Sequence, residues 1–151
     1  MNRRAPTRDE RGSALVELVW LGVILLLPML WIVVSVFEVQ RGAFGVEAAA
    51  RSAARAYVLA PDDATGRSRA EAAARMALAD QGLEGAVPDL EVECRPYPTS
   101  CLSGTSVVSV TVRTHVDLPL MPDVLGSGAP RFALDASHVV PVGRYQEVQA
   151  P

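Results

Sequence analysis

The sequence predicts an α+β protein: a long N-terminal transmembrane helix extended as a stalk, then a short helix and a small antiparallel sheet of about three strands. Three observations carry this. Leu18 to Phe37 is a run of twenty residues with no charged side chain. A helix-period seam of small residues follows it. Three segments further on alternate apolar and polar residues with period two, as half-covered strands do.

The uncharged run is interrupted only by Gly22, Pro28 and Ser35. About 20 apolar residues are needed to cross ~30 Å of hydrocarbon, and the run has that length. Arg3, Arg4, Arg8 and Arg11 precede it, whereas Arg41 alone follows closely. The positive-inside rule then leaves residues 1–12 in the cytoplasm and the remainder outside. A conventional cleaved signal peptide fits less well, because its apolar segment is 7–15 residues long. The expected organisation is a cytoplasmic leader at 1–12, a membrane helix and stalk at 13–57 (span about 18–37), and an extracytoplasmic α+β domain at 58–151.

In the stalk, Val39, Ala43, Val46, Ala50, Ala53 and Tyr57 recur at spacings of three and four, one narrow seam. Gly42 and Gly45 are expected to weaken the helix by about 1 kcal/mol each relative to Ala. The seam admits two readings: a second helix lies against it, or the protein's own globular part does.

Pro61 and Gly66 break the helix. Ser68 and Glu71 then match a capping box, which predicts a second helix over about 69–81 with Ala73, Met76 and Ala77 buried. Gly82 suits the left-handed position after that helix, with Leu83 returning to Leu78. The strands are expected around Leu90–Cys94, Val108–Val116 and Phe132–Val140. Between the last two, residues 117–130 form an apolar loop containing Leu118, Leu120, Met121, Val124 and Leu125.

Composition narrows the function. All fourteen basic residues are Arg, and the net charge is −3. No basic cluster lies beyond the leader, so nucleic-acid binding is disfavoured. Cys94 and Cys101 follow an export-type segment at a spacing that lacks the C-x-x-C redox pattern, and are expected to form a structural disulfide. His115 and His138 fall on different strands at no metal-ligand spacing and are expected to face solvent. No nucleophile elbow, phosphate-binding loop or H-E-x-x-H is present. An enzyme, a cofactor and a small-molecule substrate are therefore not expected.

The remaining signal is at the head of the apolar run, in "RGSALVEL" (residues 11–18). A cut after Gly12 would make Ser13 a new N-terminus with a free amine, and Glu17 the fifth residue. An acid one helical turn from an α-amine can pair with that amine, on its own chain or a neighbour's. This arrangement resembles a type IV prepilin: basic leader ending in Gly, acid at the fifth mature position, long apolar helix. The family often has Phe where this chain has Ser13. With "EAAARSAARAY" further on, the chain resembles the TadE-like minor pilins, or pseudopilins, of tight-adherence (Flp, type IVb) pilus systems. The resemblance implies processing at Gly12 and Ser13 by a prepilin peptidase, and an assembly role for Glu17. It also implies a bacterial cell-membrane location, with an assembly platform and other pilins as partners and adhesion as the output. The alternative reading is an uncleaved single-pass anchor displaying an extracytoplasmic binding module.

Overall fold

The computed structural model describes residues 11–117 and 131–143. The expected apolar loop lies almost wholly outside the described residues. Five elements are seen: α1 (Arg11–Val58), α2 (Asp63–Asp80), β1 (Asp89–Arg95), β2 (Val107–Asp117) and β3 (Arg131–Pro141). The fold is α+β with an open three-stranded antiparallel sheet in the order β1-β2-β3. The chain divides between Val36 and Phe37 into two compact units.

In the first unit, every residue from Ala14 to Leu30 is exposed except Gly22, which is half-exposed. The segment is long and apolar enough to cross a membrane, and none of its most apolar window is buried within the chain. A helix that is apolar all round and uncovered by protein has a hydrocarbon environment as its stable setting. Pro28 lies inside α1, and Ser35 returns its hydroxyl to the Trp31 carbonyl at 2.9 Å.

In the second unit, the seam of α1 packs under the protein's own domain. Val46, Ala49, Ala50, Ala53, Ala54 and Tyr57 join Ala70, Ala74 and Leu78 of α2 and Val108, Val110 and Val112 of β2 in one core. The buried stripe is wider than the spacing predicts, and it is displaced: Ala43 is exposed while Gly42 and Gly45 are buried. The physical reason is close approach. A Cβ at Gly42 would stand 2.6 Å from Leu134 Cδ1 and 2.8 Å from Val116 Cγ2. One at Gly45 would stand 3.0 Å from Leu83 Cδ1. These glycines lower helix propensity, but they let the helix backbone reach the sheet and the α2 terminus.

Helix α2 starts earlier than expected. Its N-cap is Asp62, whose carboxylate accepts the Thr65 backbone N–H at 2.8 Å and the Thr65 hydroxyl at 2.9 Å. Those hydrogen bonds, the backbone one first, hold the Asp62 carboxyl below its ordinary value. Gly66 belongs to the helix interior instead of a break, because the Tyr57 ring occupies the space beside it: an added Cβ would be 3.1 Å from Cδ2. The buried stripe is Gly66, Ala70, Ala74 and Leu78, spaced every four residues, with Ala73 and Ala77 half-buried at its edge and Met76 exposed. The far end of α2 is as expected. Gly82 has φ +74, the Leu83 N–H reaches the Leu78 carbonyl at 3.0 Å, and the Gly82 N–H reaches Ala79 at 2.8 Å. That is the Schellman pattern. No basic residue lies in the last turn of α2, but the Arg41 guanidinium from α1 stands against Gly82. It supplies the positive charge that a helix C-terminus favours.

All three strands occur where the alternation places them, with β2 central. Leu90, Val92 and Cys94 on β1, and Val108, Val110, Val112, Thr114 and Val116 on β2, take the covered face. Glu91 and Arg113 form an ion pair at 2.8 Å on the open face. Thr114 is buried with its hydroxyl donating to the Val87 carbonyl at 3.3 Å. A disulfide joins Cys94 to Cys101, with both residues buried. Closing a loop of seven-residue separation stabilises by about 2–3 kcal/mol in the chain-entropy account.

Tyr57 locks the turn between the helices. Its ring is buried, and its hydroxyl donates to Asp63 Oδ1 at 3.0 Å. Burial first, then the Asp63 hydrogen bond and charge, push its pKa from 10.0 to about 12.

Two outcomes follow. Gly42→Val is expected to cost about 1–3 kcal/mol through overpacking against Val116 and Leu134. Gly22→Ala, with nothing within 4 Å of the added Cβ, is expected to cost nothing comparable; thermal unfolding of the full chain in detergent compares them. Tyr57 favours the folded state through its neutral form. Its contribution is therefore complete below pH 10 and is lost as pH rises from 10 towards about 12. The wild-type melting temperature should fall across that window more steeply than that of Tyr57→Phe. At neutral pH the same variant should be less stable by about 1 kcal/mol.

Candidate functional site

Gly12 and Ser13 fall in the first turn of α1. Position 17 lies one turn beyond position 13, a spacing at which residues occupy one helix face. Glu17 is exposed, and among the described residues no ion pair reaches it. The first charged residues beyond it along α1 are Glu38 and Arg41, which pair with each other. Between them stand about five turns of uncharged residues, most of them exposed and apolar. Glu17 is thus a single acid at the head of an uncharged run.

The cysteines serve the second unit. Cys94 is the penultimate residue of β1, opposite Val108, and its bond to Cys101 folds the following segment back on the sheet. Ser106 completes this corner: its hydroxyl donates to the Arg95 carbonyl at 3.4 Å, and its carbonyl accepts the Val142 N–H at 2.8 Å. The β1–β2 connection and the end of β3 are therefore tied together.

The histidines differ from each other. His115 is exposed on the open face, opposite Ala133. His138 stands opposite Val110, whose side chain is fully buried, so the register puts it on the covered face, where it is half-buried. This corrects the expectation that both face solvent. The alternation that turns Leu134, Ala136 and Val140 inward carries His138 with them. The pair points to opposite faces of one sheet and cannot share a ligand. Among the described residues no cluster of three metal-ligating side chains occurs. His115 lines a shallow groove with Gly85, Ala86, Val87, Thr114 and Arg131, which contains no carboxylate. Glu71 and Asp89 do share a cleft, between α2 and β1, but with Arg67, Pro88, Leu90 and Val92 and no nucleophile.

The residues that sequence reasoning missed are structural supports. Arg41 reads as a juxtamembrane charge, yet it stands at the α2 C-terminus. Asp63 reads as a turn residue, yet it holds the Tyr57 hydroxyl. Neither contact leaves a periodic signal, because each joins elements through one side chain.

The chain matches no protein-family model, no curated protein and no solved structure.

Proposed function

We propose that this protein is a TadE-like minor pilin, or pseudopilin: a structural component of a tight-adherence type IVb pilus in a bacterial cell membrane. One observation carries the reading. Glu17 lies five residues after Gly12, at the head of a helix whose next twenty residues are uncharged and, up to Leu30, exposed apart from the half-exposed Gly22. Such a helix is stable in lipid or against similar helices. An acid placed in its first turns is costly in hydrocarbon unless a positive group meets it. Cleavage after Gly12 creates that group, the amine of Ser13. A prepilin peptidase removes the leader, Glu17 then pairs with an amine, and the assembly platform draws the chain among other pilins. The basic leader keeps the N-terminus cytoplasmic, and the disulfide-containing domain lies outside.

The chemistry required of the protein itself is modest. It must present a cleavable turn, hold an acid, and carry a stiff domain on one helix. The Ala- and Gly-rich seam of α1 is occupied by the protein's own sheet and α2. That leaves the apolar segment before Phe37 as the surface for other subunits.

Intact-mass measurement of protein isolated from its native membrane tests the cut. A chain beginning at Ser13 is the expected result; one retaining Arg11 and Gly12 would mean an uncleaved single-pass anchor carrying a binding module. Bulky substitution of Gly12 should leave the leader attached. Glu17→Ala should insert into the membrane and be processed, yet be lost from sheared surface filaments. Normal incorporation of Glu17→Ala would remove the assembly role.

A further inference from the structure

The chain contains three phenylalanines, and none enters the core. Phe37 is 66% exposed, Phe44 66% and Phe132 50%. The core is built instead from Ala, Val, Leu78 and Tyr57. An aromatic ring is among the largest apolar contributions a residue makes when covered. A small domain that leaves all its Phe side chains uncovered has reason to meet an apolar phase.

All three rings lie at one end of the outer unit, the end where the chain enters it. Phe37 is the first residue of that unit. Leu134 stands at Gly42, five residues or about 7.5 Å along α1. Phe132 precedes Leu134 by two strand residues, on the same face and about 7 Å further towards the entry end. It is therefore about level with Glu38, on the sheet side of α1. Phe44 follows Phe37 by seven residues, so both lie on one helix face, turned away from the buried Gly42 and Gly45. Helical side chains tilt back towards the N-terminus, which carries the Phe44 ring down over the preceding turn. Val87 is also exposed here: its carbonyl holds Thr114, which pairs with Leu134 in the ladder.

We infer that this end of the outer unit is seated on the lipid bilayer, with Phe37 and Phe132 at the edge of the hydrocarbon and Phe44 among the headgroups. This rests on the membrane-anchor part of the reading above, and not on cleavage or pilus assembly. The dimensions agree. A bilayer is ~40–45 Å thick with ~30 Å of hydrocarbon, which leaves a polar layer of about 5–7 Å on each side. The uncharged run ends at Phe37, so the rings on both sides of α1 fall within or beside that layer. Rings at this depth also fix the height of the domain on its helix, as interfacial aromatic residues do. The opposite end carries Leu59, 73% exposed at the turn after α1. Among the described residues that end has one exposed ring, Tyr97 beside the disulfide, against three at the entry end, and it remains in water.

The test uses the full chain in nanodiscs of phosphatidylethanolamine and phosphatidylglycerol. One nitroxide at a time is attached to Phe132→Cys, Phe44→Cys, Leu25→Cys or Leu59→Cys; both native cysteines of the chain are held in the disulfide. Collision with oxygen, which enters lipid, is compared with collision with a water-soluble nickel chelate. The expected oxygen-to-nickel ratio is highest at Leu25. It should be intermediate at Phe132 and Phe44, several-fold above the value at Leu59. If Phe132 and Phe44 match Leu59 while Leu25 is deep, the anchor holds and the seat is wrong. If Leu25 also matches Leu59, the membrane reading itself falls. Shielding of Phe132 from both reagents, with spin–spin broadening that depends on protein density, would identify a second copy of the chain as the occupant and overturn the bilayer assignment.

Discussion

The second unit depends on how closely the backbone of α1 approaches the sheet. Gly42 and Gly45 leave no side chain between the helix and its neighbours, and Ala49, Ala50, Ala53 and Ala54 leave only a methyl group each. Residues this small bury little apolar area, so their contribution is not their own transfer free energy. It is the distance they permit. The Val residues of β2 gain full cover because the helix stands so near, and burial of a Val contributes about 1.5–3 kcal/mol where an exposed one contributes little. Tyr57 then closes the seam at its far end, with Gly66 accommodating its ring and Asp63 its hydroxyl.

The same helix obeys a different rule before Phe37. There the apolar residues surround the axis, and the small-residue seam has no counterpart. One element thus contains two solvent instructions in succession: an all-round apolar surface, then a one-sided one. The transition coincides with the first charged residues after the run, Glu38 and Arg41. Arg41 does double service there. It neutralises Glu38 and stands at the C-terminus of α2, where the carbonyl dipoles favour a cation.

Much of this was legible in the sequence, and the misses have physical causes. The strands were legible because period two needs only the chain itself to be read, and Leu90, Val110 and Leu134 keep that period. The Schellman end of α2 was legible because Gly82 needs a positive φ. Gly42, Gly45 and Gly66 were misread because local propensity treats every helical Gly as a loss. Their role is set by Leu134, Val116, Leu83 and Tyr57, which are distant in sequence or on another element. Met76 was assigned to the wrong side because in an Ala-rich helix the large apolar residue draws the stripe toward itself, whereas the face packed on the core is the one made of Gly66, Ala70, Ala74 and Leu78. His138 was expected to face solvent as a lone histidine at no ligand spacing, although its parity with Leu134, Ala136 and Val140 puts it inside. The candidate processing segment was legible for another reason: Gly12, Ser13 and Glu17 take their meaning from their order between a basic leader and an uncharged run, which needs no tertiary contact.

The two ends of the second unit are built on different principles, and the difference bears on what each end meets. At the far end the polar links are dense: Asp62 caps α2, Asp63 holds Tyr57, Ser106 ties Arg95 to Val142, and the disulfide closes the corner. These are hydrogen bonds and a cross-link of the kind that persist beside water, because they do not rely on covering large apolar surfaces. At the entry end Arg41 pairs with Glu38 and Thr114 holds Val87, and among the described residues Phe37, Phe44, Phe132 and Val87 stand exposed. Rings left uncovered in water would invite association between chains, so their concentration at one end is tolerable only where something apolar is always present. On the proposed bilayer seat, that phase would be the lipid beside Phe37, where the uncharged run ends.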